Sequence, residues 1–318
     1  MRTAKAFLSS FVVLLICIVC VSQISLKDAL NFEYLMMDPE EYLGKDQELR
    51  EADEESLNQL FFASYYVGNL ALSRYYLSIG ANLLNVKFDL FDREEYIRTI
   101  AHYQPTGDHI DLLFETLTLF PEVFSWEVEV GGGAEITALT HFAYTLRPEN
   151  FREIVKLCDD VNLADKNGFT TLARLSRRTD SVMDKKEMIE ILLEAGADPA
   201  LPIPGGRNIL HDFNWWPIGE DYSEVLELIR QSNLDFNKQN ESGATPLHWA
   251  VFPYGLETNS VAYVKFLLEN GADKYIADET GATPVYRINR YERGFKYATA
   301  EEIASRKEVM AQLTELLE

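Results

Sequence analysis

Apolar residues in the second half of the chain fall in short runs with helical spacing, each run closed by polar turn residues. "ILLEAGADPAL" (Ile191–Leu201), "LELIRQSNLDFN" (Leu226–Asn237) and "VKFLLENGADKYIA" (Val264–Ala277) share this form. Leu, Ile and Phe recur at the three- and four-residue intervals of a one-sided helix. Gly196 and Gly271 then stand where the helix must stop, because glycine tolerates the left-handed backbone that ends helices. "LFFASYYVGNLALSRYYLSIGANLLN" (Leu60–Asn85) repeats the pattern upstream, with Gly68 between two predicted helices and Gly80-Ala81-Asn82 closing the second.

A second phrase precedes each run. "NESGATPLHWA" begins at Asn240, "DETGATPVYRI" at Asp278, "DKNGFTTLARL" at Asp165 and, in degraded form, "IPGGRNILHDF" at Ile203. The starts are 38, 37 and 38 residues apart. Regular spacing of this size predicts an array in which each unit is one supersecondary motif.

Gly-x-Thr-Pro-Leu-His-x-Ala, an aliphatic helix and then Gly-Ala-Asp, as found between Asn240 and Asp273, resembles the ankyrin repeat family. The unit from Asp165 has Thr171 in place of proline and Ala173 in place of histidine. The unit from Asp278 has Tyr286 in the histidine slot. Upstream, "GGAEITALTHFAY" from Gly132 fits a first helix and "FREIVKLCDDVNLAD" a second helix with its exit, while Arg93–Phe124 reads as a diverged helical pair. The resemblance implies an all-α solenoid of about seven helix-turn-helix plus β-turn units over residues 54–318. Acidic residues 23–53 form a lead-in or cap, and Thr299–Glu318 a closing helix pair.

Within that resemblance, the opening phrase has a structural role. Threonine caps the first helix, and proline suits its first turn, where a missing N–H costs nothing. Leucine is core, and histidine bonds within and between repeats. Thr245, Pro246, Leu247 and His248 are therefore expected to be scaffold, with His211 in the same slot.

The N-terminus is a separate object. Arg2 and Lys5 precede an apolar run from Ala6 to Val21, shorter than a bilayer span of roughly 20 residues. Residues 1–22 read as a signal peptide; an uncleaved membrane anchor is the alternative. Cleavage removes Cys17 and Cys20 and leaves Cys158 as the single cysteine, which cannot form an internal disulfide. The reading is of an exported protein, periplasmic or secreted, with no membrane span after signal removal.

Charge narrows the partner. Lys plus Arg number 29 against 51 Asp plus Glu, a net charge of −22. Such a chain repels phosphate backbones, which argues against nucleic acid and favours a basic protein partner or simple solubility. Catalytic patterns are scarce. Gly131–Gly133 has no Lys-Ser/Thr after it and reads as a turn. His102 and His109 are separated by "QPTG", which breaks the helix they would need to share a metal. The expectation is a non-enzymatic chain with no cofactor and no metal, monomeric when free.

Several units exceed the family's roughly 33 residues, and the extra length is predicted to lie between the paired helices. It forms loops at Arg178–Lys186, Asn214–Ser223, Phe252–Ser260 and Asn289–Ala298. Three of the loops carry aromatics. Surface aromatics often anchor interfaces; the alternative is that they fold back over helix ends. The candidate protein-binding residues are Trp215, Trp216, Phe252, Tyr254, Tyr286 and Tyr291, with Glu220, Asp221 and Glu257 between them. The expected function is a neutraliser of a basic partner, of immunity or inhibitor type, in the periplasm. An envelope scaffold for another exported enzyme, or an effector acting in a host cell, is the alternative.

Overall fold

A computed structural model describes residues 53–66, 69–85, 96–97, 107–130, 134–177, 185–213, 223–232, 234–251, 258–289 and 300–318. The chain divides into two compact units, residues 1–96 and 97–318.

In the first unit, α1 (Glu54–Tyr66) and α2 (Leu70–Ile79) form a helical hairpin. Asn69 caps α2 by accepting the Leu72 N–H at 3.2 Å. Gly80 ends it in the left-handed conformation at φ 119°, where its N–H returns to the last turn. Phe61, Phe62 and Tyr65 meet Tyr96 with ring centroids 5.1–5.8 Å apart, an edge-on aromatic cluster. A buried Ser64–Ser73 hydroxyl pair at 2.8 Å joins the two helices. The predicted Gly80-Ala81-Asn82 closure is tied back by the Asn82 N–H to Asn58 Oδ1, at 2.6 Å.

The second unit begins with α3 (Asp108–Leu119), a 3-10 turn at Pro121–Ser125 and an antiparallel hairpin of β1 (Glu127–Val130) and β2 (Ala134–Thr137). These are followed by α4 (Ala138–Thr145) and α5 (Pro148–Val155), then α6 (Thr171–Arg177) and α7 (Lys185–Glu194). A 3-10 turn at Ile209–His211 is followed by α8 (Ser223–Arg230); α9 (Pro246–Ala250) then pairs with α10 (Thr258–Glu269), and α11 (Pro284–Asn289) with α12 (Ala300–Leu317). First helices stack on first helices: α4 on α6, and the 209–211 turn on α9 and then α11. Second helices form their own row, α3 to α5 to α7 to α8, and α10 to α12. Each layer covers the apolar face of the next, which is why Leu139, Leu175, Leu210 and Leu247 are all fully buried.

The structure departs from the sequence reading in places. Of the closing pair read at Thr299–Glu318, Ala300–Leu317 is one helix, α12, because nothing in it is glycine or proline and no break is available. Its partner is α11. The segment around Gly131–Gly133 is flanked by a true two-stranded ladder, from Glu127 opposite Thr137 to Val130 opposite Ala134; the three glycines themselves lie outside the described residues. Of the diverged pair predicted at Arg93–Phe124, the described parts are Tyr96–Ile97 and α3 with its 3-10 turn, and the segment holding His102 lies outside them. In the degraded unit, Asn208 and Ile209 replace Thr-Pro and the first helix shrinks to a 3-10 turn. Cys158 is half-buried just past α5, its thiol directed at Asp160 O, and burial pushes that thiol up to about 11. No helix of the described residues is long and apolar enough to cross a membrane.

Candidate protein-binding surface

Between successive helical pairs the chain turns out into a short finger. Three fingers are built the same way. The N–H of Asp165, Asn240 or Asp278 donates to the carbonyl four residues on, at 2.9, 3.0 and 2.9 Å. The side-chain Oδ1 of the same residue collects two further backbone N–H groups. Asp165 takes Asn167 and Phe169, Asn240 takes Ser242 and Ala244, and Asp278 takes Thr280 and Ala282. A side chain that satisfies backbone donors in a turn fixes that turn. The positions were legible as repeat starts, but their bonding role was not.

The fingers then stack. The Glu241 N–H donates to Gly205 O at 3.0 Å, and the Glu279 N–H to Ser242 O at 3.1 Å. At the earlier step the matching residue is Pro204, which has no N–H; its ring packs on Gly168 instead, 3.2 Å from where a Cβ there would stand. One step further back, the Lys166 N–H donates to Glu127 Oε1 at 2.8 Å, and its ammonium pairs with Glu135. A continuous set of contacts thus runs from the hairpin 127–137 to the finger at 278–282. Gly243, at φ +73°, is required twice over: a Cβ would also meet Glu279 N at 2.8 Å.

A parallel set of contacts runs below, at the helix starts. His248 Nδ1 accepts the Thr245 N–H at 3.1 Å, so Nε2 carries the proton and donates to Ala282 O, 2.9 Å away in the next unit. His211 repeats this: Nδ1 accepts the Asn208 N–H, and Nε2 donates to Ala244 O, both at 3.2 Å. Burial lowers both imidazoles below their ordinary value, His211 to about 4, so each is neutral at pH 7. Where histidine is missing, Thr140 takes its slot and meets the Thr171 hydroxyl at 2.9 Å. These bonds match the scaffold role expected for Thr245 and His248.

A third set, missed from sequence, lies at the second-helix exits. Asn162 Oδ1 accepts the Asp198 N–H at 2.8 Å and its amide donates to Gly196 O. Asn237 does the same to Asp273 and Gly271. The available signal was an asparagine 34 residues before both Gly196 and Gly271.

Of the stretches read as extra loops, Lys185–Lys186, Ser223, Thr258–Ser260 and Asn289 belong to helices, and 178–184, 214–222, 252–257 and 290–299 lie outside the described residues. Trp215, Trp216, Glu220, Asp221, Phe252, Tyr254, Glu257 and Tyr291 all fall there. Tyr286 is described. It is 54% exposed in the histidine slot of the last finger-bearing unit. Tyr275, just before that finger, is 74% exposed. His109 sits near the start of α3, and no cluster of His, Cys, Asp or Glu able to hold a metal occurs among the described residues.

The positions facing the fingers from the first helices vary in chemistry. Arg174 donates to Asp165 Oδ2 at 2.6 Å, and Arg287 repeats this on Asp278 at 2.6 and 3.1 Å. In the unit between Ile203 and Asp212 the polarity is reversed: Arg207 on the finger donates to Asp212, just past the 3-10 turn, at 2.8 Å. Asp212 is fully buried. Burial raises its carboxyl to about 6, against the opposing pull of Arg207 and Arg177.

A uniform scaffold with varied side chains on its fingers and first helices defines a repeat architecture of stacked helical pairs. The comparisons agree. The ankyrin repeat family matches residues 242–279. The chain is 37% identical over 84 residues to the ankyrin repeat protein FPV230 of Fowlpox virus, covering 25% of this chain and 42% of that one. It is 40% identical over 73 residues to ankyrin repeat domain-containing protein 40 of Mus musculus, covering 23% and 18%. It is 30% identical over 122 residues to the E3 ubiquitin-protein ligase KEG of Arabidopsis thaliana, covering 38% and 7%. The matched stretches span less than half of each relative's own length. Over these stretches the chain is similar to ankyrin repeat proteins, and its described residues are mostly helical.

Proposed function

We propose that the protein is an exported, non-enzymatic binding module that neutralises a basic protein partner, in the manner of an immunity or inhibitor protein. The observation that carries the binding role is the stack of fingers locked by backbone and histidine bonds, which presents side chains without rearrangement. A preorganised surface keeps the entropic cost of association low. A net charge of −22 supports the basic partner, since it speeds encounter with a cationic protein. Export rests on the n-region and apolar run of residues 1–22.

The test is affinity capture from the native envelope fraction, followed by reconstitution with the purified partner. The proposal expects a stoichiometric complex with a basic protein, weakened by salt, in which the partner's own activity is suppressed. A complex that leaves that activity unchanged removes neutralisation and leaves scaffolding; absence of any protein partner removes the binding role.

A further inference from the structure

The chain is acidic, yet one place on its finger and first-helix surface carries more cation than anion. Arg174, Arg177 and Arg207 lie together with two carboxylates, Asp165 and Asp212. Arg174, Asp165 and Arg207 are mated, and Asp212 is held through Oδ1 while its buried Oδ2 has no hydrogen-bond partner among the described residues. Arg174 donates to Asp165 Oδ2, and Asp165 Oδ1 is filled by the finger's own N–H groups. Arg207 donates to Asp212 Oδ1 at 2.8 Å with its side chain only 12% exposed. Arg177 is the surplus. It stands 3.9 Å from the same Asp212 oxygen that Arg207 already holds, and makes no hydrogen bond among the described residues.

Arg177 is nevertheless held in place. Its guanidinium lies over the Phe169 ring at 4.8 Å, and Arg174 lies over the same ring at 4.5 Å. Its side chain is 40% exposed. Burial lowers it from the usual guanidinium value, Asp212 opposes that, and the neighbouring Arg207 and Arg174 add to the lowering. A fixed planar fork with unused donors, repelled by two other guanidiniums, favours an incoming carboxylate with two oxygens to offer.

We propose that Arg177, seated on Phe169 beside the Arg207–Asp212 pair, receives a carboxylate side chain of the protein partner. This rests on the protein-binding reading above. It adds a specific anchor: a partner that is basic overall presents one Asp or Glu at this point. The acidic surroundings draw in the cationic surface, and the arginine locus fixes its register.

The test is selection of a random twelve-residue peptide display library on the purified protein, followed by a double-mutant cycle. Selected peptides are expected to be basic with one recurring Asp or Glu. Changing that residue to Gln or Asn is expected to weaken binding about tenfold to wild type, the size of a lost charge-assisted bond, and to leave binding to Arg177→Gln unchanged. Arg177→Lys, which keeps the charge but loses the fork, is expected to rescue only part of the affinity. Circular dichroism and thermal unfolding check that each variant is folded. Binders with no recurring carboxylate, or a peptide change that weakens binding equally to wild type and Arg177→Gln, overturn the inference and leave the binding role standing. A library that yields no binder overturns both.

Discussion

His248 Nε2 and Ala282 O are 34 residues apart in sequence and 2.9 Å apart in space, joined by a buried hydrogen bond between neighbouring units. Truncating His248 to alanine strands the Thr245 N–H, leaves the Ala282 carbonyl with only the Asp278 N–H, and opens a cavity in a fully buried site. We expect His248→Ala to cost about 2–4 kcal/mol by urea unfolding. Tyr286 occupies the same slot but is half exposed, so Tyr286→Ala is expected to cost under about 1 kcal/mol.

The glycines of the second unit separate two kinds of cost. Gly243 and Gly271 both have positive φ, +73° and +89°, but a Cβ on Gly243 meets the next finger at 2.8 Å while one on Gly271 meets nothing within 4 Å. Gly271→Ala is expected to lose about 1 kcal/mol, from backbone conformation alone. Gly243→Ala adds displacement of the Glu279 backbone and is expected to lose about 2 kcal/mol more. Denaturant midpoints of the two variants check the order; equal losses would deny the close approach of the fingers.

His211 and Asp212 are adjacent in sequence, and burial gives them opposite contributions to the pH dependence of stability. Burial holds His211 at about 4, below its ordinary 6.5, so between those values the unfolded chain binds more protons and stability rises with pH. Burial raises Asp212 from 3.8 to about 6, so there the folded chain binds more protons and stability falls as pH rises. Each effect is worth about 3 kcal/mol across its window, with opposite sign, and together they nearly cancel. Asp212→Asn removes one side of this balance. Its unfolding free energy is expected to drop more steeply than wild type's as pH falls from 6.5 to 4, measured by urea titration at several pH values. Parallel pH curves for variant and wild type would contradict the opposition.

Much of this fold was legible from sequence, for reasons local to each element. The alternation of turn, short first helix and longer second helix follows from Gly-x-Thr-Pro-Leu-His and Gly-Ala-Asp. Those residues act through backbone conformation and capping, which depend on immediate neighbours. The asparagine bonds of Asn162 and Asn237 were not legible, because their partners are a whole unit away and asparagine is equally common in solvated turns. The hairpin of β1 and β2 was hidden for a similar reason. Glu-Val-Glu-Val is too short a run to distinguish a strand from a finger, and its pairing depends on the return of residues 134–137. Of the candidate binding residues, Tyr286 could be placed on the surface. The arginine locus around Phe169 was not anticipated, since Arg174, Arg177 and Arg207 come from two different units and look individually like ordinary surface charges.

The central claim is that the stacked fingers and first helices form a rigid protein-docking surface. Hydrogen–deuterium exchange of the protein, alone and bound to its captured partner, tests it most directly. Protection on binding is expected at the fingers 164–170, 203–207, 240–244 and 278–282 and at the adjoining starts of α6, α9 and α11. Protection confined to the second-helix row of α5, α7 and α8, with the fingers exchanging as in the free protein, would contradict it.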